Sequence, residues 1–158
     1  MHNIKESSYE IELQRSEAKF RIVLETAAQG ILLVNLHGQI SLVNTKIEKL
    51  FGYSRDELID ASLEKLVPLL YRDIHVHHRN KYFANPTNTA MAVGKEINGK
   101  RKDGSEFPIE VHLTSAEMYD GLHVIAFITD ISEQKKAAKA LQIKNRLNCL
   151  LKKPPKKN

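Results

Sequence analysis

The sequence predicts an α+β domain, and three observations predict it. Phe107, Ile109, Val111 and Leu113 alternate with Glu106, Glu110, His112 and Thr114, the period of a strand with one buried face. Val93, Lys95 and Ile97 ahead of them fall on one face with Glu96 and Asn98 on the other, and Leu122 to Ile128 behind them is apolar nearly throughout. The three runs are joined through Asp103-Gly104 and Asp120-Gly121, dipeptides that suit hairpin turns, whereas the preceding and following segments carry helical spacing. Strands grouped in this way, with helices segregated before and after them, define the α+β class.

Taken in order, Ser8 to Ala27 holds no proline or glycine, and Ile11, Ala18, Ile22 and Val23 recur at near-helical spacing among charges. One or two amphipathic helical segments are expected, able to pack on a partner or on the sheet. Gly30 breaks the pattern; Ile31 to Leu36 and Gln39 or Ile40 to Asn44 then read as short strands joined through Leu36-His37-Gly38-Gln39. Asn44 or Thr45 caps a helix with Ile47, Leu50 and Phe51 inward, and Gly52 ends it. Ser54-Arg55-Asp56-Glu57 fits a capping box, Ser62 caps a further turn that stops near Pro68, and a longer helix spans about Leu70 to Ala84 before Asn85-Pro86. The loop Thr87 to Ala90 leads into the strand of Val93. The run Leu122 to Ile128 is expected at the centre of the sheet, covered on both sides. Past Asp130 the chain turns helical with Ile131, Ala138 and Leu141 at a and d spacing, a short coiled-coil pattern that Leu147, Leu150 and Leu151 leave and Pro154-Pro155 stops.

A chain of 158 residues suits one core plus extensions. No apolar run approaches the ~20 residues of a membrane span, and Met1 to Ser8 lacks the apolar centre of a signal peptide, so a cytoplasmic location is expected. Cys149 is the only cysteine, which excludes an intramolecular disulfide and a four-cysteine zinc site. The net charge of +5 is unevenly placed: residues 131–158 hold 9 basic and 1 acidic side chains, residues 1–130 hold 15 and 18. A basic-tail nucleic-acid or membrane-surface binder is therefore one reading, but the tail has no interleaved aromatics and no specific nucleic-acid partner is expected. No phosphate loop, His-Glu-x-x-His or nucleophile elbow occurs, so the chain is read as a non-enzyme.

Three blocks resemble a PAS sensor domain of the PAS/PAC type found in bacterial sensor histidine kinases: Phe51-Gly52-Tyr53-Ser54-Arg55-Asp56-Glu57-Leu58, the run Gly99-Lys100-Arg101-Lys102-Asp103-Gly104-Ser105-Glu106-Phe107-Pro108, and Thr129-Asp130-Ile131-Ser132 followed by a charged helix. The resemblance covers roughly residues 19 to 141. It implies a five-stranded antiparallel sheet with short helices over one face, flanked by N- and C-terminal amphipathic helices. Together with the residue patterns at either end, the division expected is an N-terminal helical extension over 1–18, the PAS domain over 19–131, a signalling helix over 132–151 and a basic disordered tail over 152–158. The resemblance also implies a two-component signal-transduction role: a homodimer through the terminal helices that senses a small ligand or partner and relays to an effector such as a histidine kinase, with Asp130 and Ile131 as the signal exit. An aspartate there can cap the following helix and pair with a basic side chain.

Within that family, Tyr71-Arg72-x-x-His75 resembles the haem-PAS oxygen sensors of the FixL type. The resemblance implies His75 as the haem-iron ligand, Lys95 at the place of an oxygen-bonding arginine, Val111 and Leu113 on the distal side and Lys81 near the propionates. A neutral imidazole suits an axial site, whereas Lys95 is a point charge without arginine's planar fork. The other reading of His75 is a partly exposed helical histidine bonded to a loop carbonyl. His75 and His78, three apart, form a two-ligand metal pattern, or together with His77 a surface cluster. The cofactor is thus left unknown, with haem ahead of flavin: the globular region has no cysteine for light-driven adduct chemistry, and a non-covalent flavin would draw on Asn44, Asn80 and Asn98.

Overall fold

The computed structural model describes residues 2–86, 89–91 and 97–152. It opens with one continuous helix, α1 (His2–Thr26), which passes residue 18 without a break. At about 100° per residue, Ile11, Ala18 and Ile22 fall on one side of it and Tyr9, Leu13, Phe20 and Val23 on the opposite side. The single apolar face expected for this segment is thus two stripes, and their large apolar side chains are exposed.

Strands β1 (Gly30–Val34) and β2 (Ile40–Val43) form the expected hairpin, whose turn is held by the Asn35 side chain accepting from the His37 and Gln39 amides. Helix α2 (Thr45–Phe51) is capped by Asn44 and closed by Gly52 at φ +76°, a left-handed conformation that glycine adopts without strain. Helix α3 (Arg55–Leu58) begins with the Ser54/Glu57 capping box. Two 3-10 turns, Leu63–Leu66 and Leu69–Tyr71, then lead into α4 (Arg72–Ala84).

Strands β3 (Thr89–Met91), β4 (Ile97–Lys100), β5 (Glu106–Met118) and β6 (Gly121–Asp130) complete an antiparallel sheet of order β2-β1-β6-β5-β3 with β4 also on β5. Thr89 pairs with Leu113 and Met91 with Val111, while Ile97 pairs with Ile109 and Lys100 with Glu106. Both short strands therefore lie on the edge of β5 away from β6 and share one position, so the sheet has the five positions the resemblance implies. Thr89 and Ala90, expected in a loop, are in strand. Val93, Lys95 and Glu96 lie outside the described residues, as does the basic tail beyond Lys152. Strand β6 is central, as its apolar run predicts.

The two-residue period puts Phe107 and Ile109 of β5 and Val124, Ala126 and Ile128 of β6 on one face, where they bury with Leu32 and Val34 of β1 and with Ile47, Leu50 and Phe51 of α2. The Phe51 and Phe107 rings meet edge to face at 5.2 Å. The last turn of α1 is tied to this core by polar contacts: Asn44 donates to the Leu24 and Gln29 carbonyls, and Glu25 accepts from the Thr45 amide and hydroxyl and pairs with Arg55 at 2.5 Å. Helix α5 (Ser132–Leu151) leaves the sheet with Ile143, Leu147 and Leu150 exposed at alternating spacings of three and four, a seam distinct from Ile131, Ala138 and Leu141. No helix among the described residues is long and apolar enough to cross a membrane.

Candidate functional site

A cavity of about 210 Å³ lies between the inner face of the sheet and α4. Its floor follows from strand alternation: Ile109, Val111 and Leu113 of β5 and Val124, Ala126 and Ile128 of β6 point the same way. Its roof is α4, which contributes His75, His78, Arg79, Tyr82 and Phe83 at helical spacing, and Phe51 and Leu66 also line it. Val111 and Leu113 are therefore on the cavity wall with His75. Lys81 is exposed on α4 and does not line the cavity, and Lys95 is outside the described residues. Of the three asparagines considered as polar contacts, Asn98 lines the cavity and Asn80 is exposed; Asn44 is buried away from it, spending its amide on backbone groups of the α1–β1 connection and α2.

His75 does not bond a loop carbonyl. Its Nδ1 lies 3.0 Å from Oε1 of Glu64, and the same oxygen accepts from Arg79 Nε at 2.9 Å, while Glu64 Oε2 accepts from the Ser62 hydroxyl at 2.5 Å. Glu64 is 8% exposed. Burial alone would raise its carboxyl, yet the bonds from Ser62 and His75 and the charge of Arg79 bring it below the ordinary carboxylate value. Sequence reasoning missed this residue, since only Ser62 was seen as a cap. The available signal was a carboxylate in a capped turn placed eleven and fifteen residues before two basic groups that share a helix face. The Arg79 guanidinium also covers Gly38, where a Cβ would come within 2.1 Å of Nη1; with φ at +77° that position suits glycine twice over. His77 is exposed, its ring 6.3 Å from that of His78, and among the described residues no group of three His, Cys, Asp or Glu side chains could hold a bare metal ion.

At the far end of the sheet, Asp130 Oδ1 accepts from the Ser132 amide at 2.8 Å and its hydroxyl at 2.5 Å. Asp130 thus sits one residue ahead of the N-cap position, which Ile131 occupies without a side-chain bond. The half-buried Ile131 donates its amide to Pro108 O at 3.1 Å. Arg101 Nη2 stands 3.6 Å from Asp130 Oδ2, its Nε donates to the Leu50 carbonyl, and its guanidinium lies 3.9 Å from the centre of the Phe107 ring. One side chain therefore touches the end of α2, the core aromatic pair and the root of α5.

A profile of the PAS fold family matches residues 18–131. The chain is 30% identical over 140 residues to the sensor protein FixL of Bradyrhizobium diazoefficiens, covering 87% of this chain and 27% of that protein. It is 25% identical over 109 residues to the oxygen sensor protein DosP of Escherichia coli, covering 69% of this chain and 14% of that one. It therefore spans about a quarter or less of the length of these curated relatives. Among solved structures, the PAS domain of an HTR-like protein from Haloarcula marismortui superposes with a TM-score of 0.68 at 22% identity, over 79% of this chain and 99% of that domain, a likeness of fold.

Proposed function

Because the chain belongs to the PAS family, we propose that it is a sensory relay module in which a small ligand held beneath α4 alters the sheet, and α5 carries the change to an effector such as a histidine kinase. The observation that supports this reading most is the continuity of the path: β5 and β6 form the cavity floor, and Arg101 links the same core to Asp130 at the root of α5. Two copies pair through α1 and α5, whose exposed apolar side chains have no other use in a lone chain. In sedimentation equilibrium, Leu147→Glu weakens the dimer at least tenfold; a wild-type monomer at high concentration removes the pairing part of the reading.

A second reading, haem at His75, is favoured by one observation: the bond from Nδ1 to Glu64 leaves Nε2 as the nitrogen for an iron ligand, in a cavity whose walls are apolar. His75 would hold the iron, Val111 and Leu113 would face the opposite side of the macrocycle, and Lys81 and Lys95 would serve its rim and its gas-binding side. Haem would supply reversible binding of a diatomic gas. The cavity is smaller than the ~300–1,000 Å³ of typical ligand pockets, so α4 would stand further from the sheet in the loaded protein, and that helix has no buried residue to prevent it. The test is an absorption spectrum before and after adding haemin. A Soret band that is lost in His75→Ala supports the gas sensor; a featureless spectrum in both conditions leaves the relay module with a colourless ligand.

A further inference from the structure

Building on the haem reading, we propose that Glu64 is the positioning residue of His75, holding its imidazole with the proton on Nδ1 and presenting an unprotonated Nε2 to whatever is bound beneath α4. Three features of the site carry this. The carboxylate and the imidazole are brought together from separate elements, a 3-10 turn and α4, at 3.0 Å. The carboxylate is itself immobilised, since Ser62 holds Oε2 and Arg79 bonds Oε1. Arg79 also supplies a countercharge to Glu64, so a neutral imidazole suffices as the second donor, and neutral is the form a metal requires of it. A carboxylate accepting the proton of a ligating histidine fixes the ring's orientation and makes its other nitrogen a stronger base. Surface ion pairing does not account for the arrangement, because Glu64 and Arg79 side chains are only 10% and 12% exposed.

The imidazole tautomer can be read in the haem-free chain by long-range nitrogen–proton NMR with labelled histidine. The wild type is expected to show His75 protonated at Nδ1. Glu64→Leu, which removes the acceptor, shifts the ring to the Nε2-protonated form; Glu64→Gln, whose amide oxygen still accepts, restores Nδ1 protonation. A wild-type ring protonated at Nε2, or a tautomer that is the same in Glu64→Leu, overturns the proposal. In the haemin-loaded protein Glu64→Leu lowers haem affinity about 10–100-fold, and Glu64→Gln, which keeps the shape but loses the anion, lowers the ferrous iron–histidine stretching frequency. An unchanged affinity and frequency in both variants also overturns it. If the wild type takes up no haemin while the tautomer responds as stated, the haem reading fails and the positioning role of Glu64 stands. Should Glu64→Leu not fold, the wild-type tautomer and the haem affinity and stretching frequency of Glu64→Gln carry the test: Nε2 protonation in the first, or no change in the second, overturns the proposal.

Discussion

Helices α2 and α4 lie over the same sheet and are held there in different ways. The seven residues of α2 bury Ile47, Leu50 and Phe51, and the helix is fixed at both ends, by Asn44 and Glu25 at its first amides and by Gly52 at its close. The thirteen residues of α4 bury none; its N-terminal flank, Tyr71, makes no side-chain cap. It is held by directional bonds, from His75 and Arg79 to Glu64 and from Arg72 to the Val67 carbonyl. Apolar burial is non-specific and hard to undo piecemeal, whereas a few polar bonds can be exchanged for others. The difference assigns the two helices to scaffold and movable roof, and the cavity lies under the roof.

The comparison breaks first at Phe51. Its side chain is 1% exposed and packs edge to face on Phe107, so Phe51→Ala is expected to cost about 3–5 kcal/mol, read from the urea midpoint. Phe83→Ala on α4, half-buried at the cavity roof, should cost about half as much or less. Equal losses would mean that α4 is as much a part of the core as α2.

A smaller effect sharpens the contrast. Native-state hydrogen exchange should place the amides of α2 near the global unfolding free energy and those of α4 well below it. Glu64→Gln should speed exchange in α4 while leaving α2 unchanged, at a global cost of about 1–3 kcal/mol. If both helices respond together, the Glu64 cluster belongs to the common core and does not act as a separate latch.

How far each helix could be read from the chain follows the same division. The order of the elements apart from β3, the caps at Ser54 and Ser62 and one at Asn44 or Thr45, the glycine stop at 52 and the central place of β6 were legible because each depends on neighbours in sequence or on a two-residue period. Strand alternation gave the shared inward face of Val111 and Leu113, and the family resemblance implied their place on a ligand-facing wall. Glu64 was not legible, since its meaning depends on a turn folding back against a helix eleven residues later, and a lone glutamate carries no period. The same holds for Glu25, which reads as one more charge on a long helix until its contact with Thr45 twenty residues away is seen. The two apolar stripes of α1 were not legible for a different reason: Ile11, Ala18 and Ile22 suggest one face, and Tyr9, Leu13, Phe20 and Val23 on the far side cancel it.

The smallest expected effect tests the anchor of α2. Glu25 is held at a pKa of about 2 against an ordinary 4.5, mainly by the hydrogen bond from the Thr45 hydroxyl, opposed by some desolvation and reinforced by Arg55 and the Thr45 amide. A carboxyl depressed on folding contributes stability that is fully present above the unfolded value, and that contribution is lost as pH falls from about 4.5 towards about 2. Its side chain is a quarter exposed, so solvent screening reduces the contribution to about 1–2 kcal/mol. Other carboxyls titrate in the same window, Glu57 and Asp103 among them, and they are common to wild type and variant. The quantity to measure is therefore the difference in urea midpoint between wild type and Glu25→Gln at pH 7 and again near pH 3. The gap should narrow in acid, because near pH 3 protonation of Glu25 in the unfolded chain has already removed much of the stability that its depressed pKa supplies to the wild type. A gap that stays constant would place the value of Glu25 in its shape and not its charge, and would leave α2 held by burial and by its caps at Asn44 and Gly52.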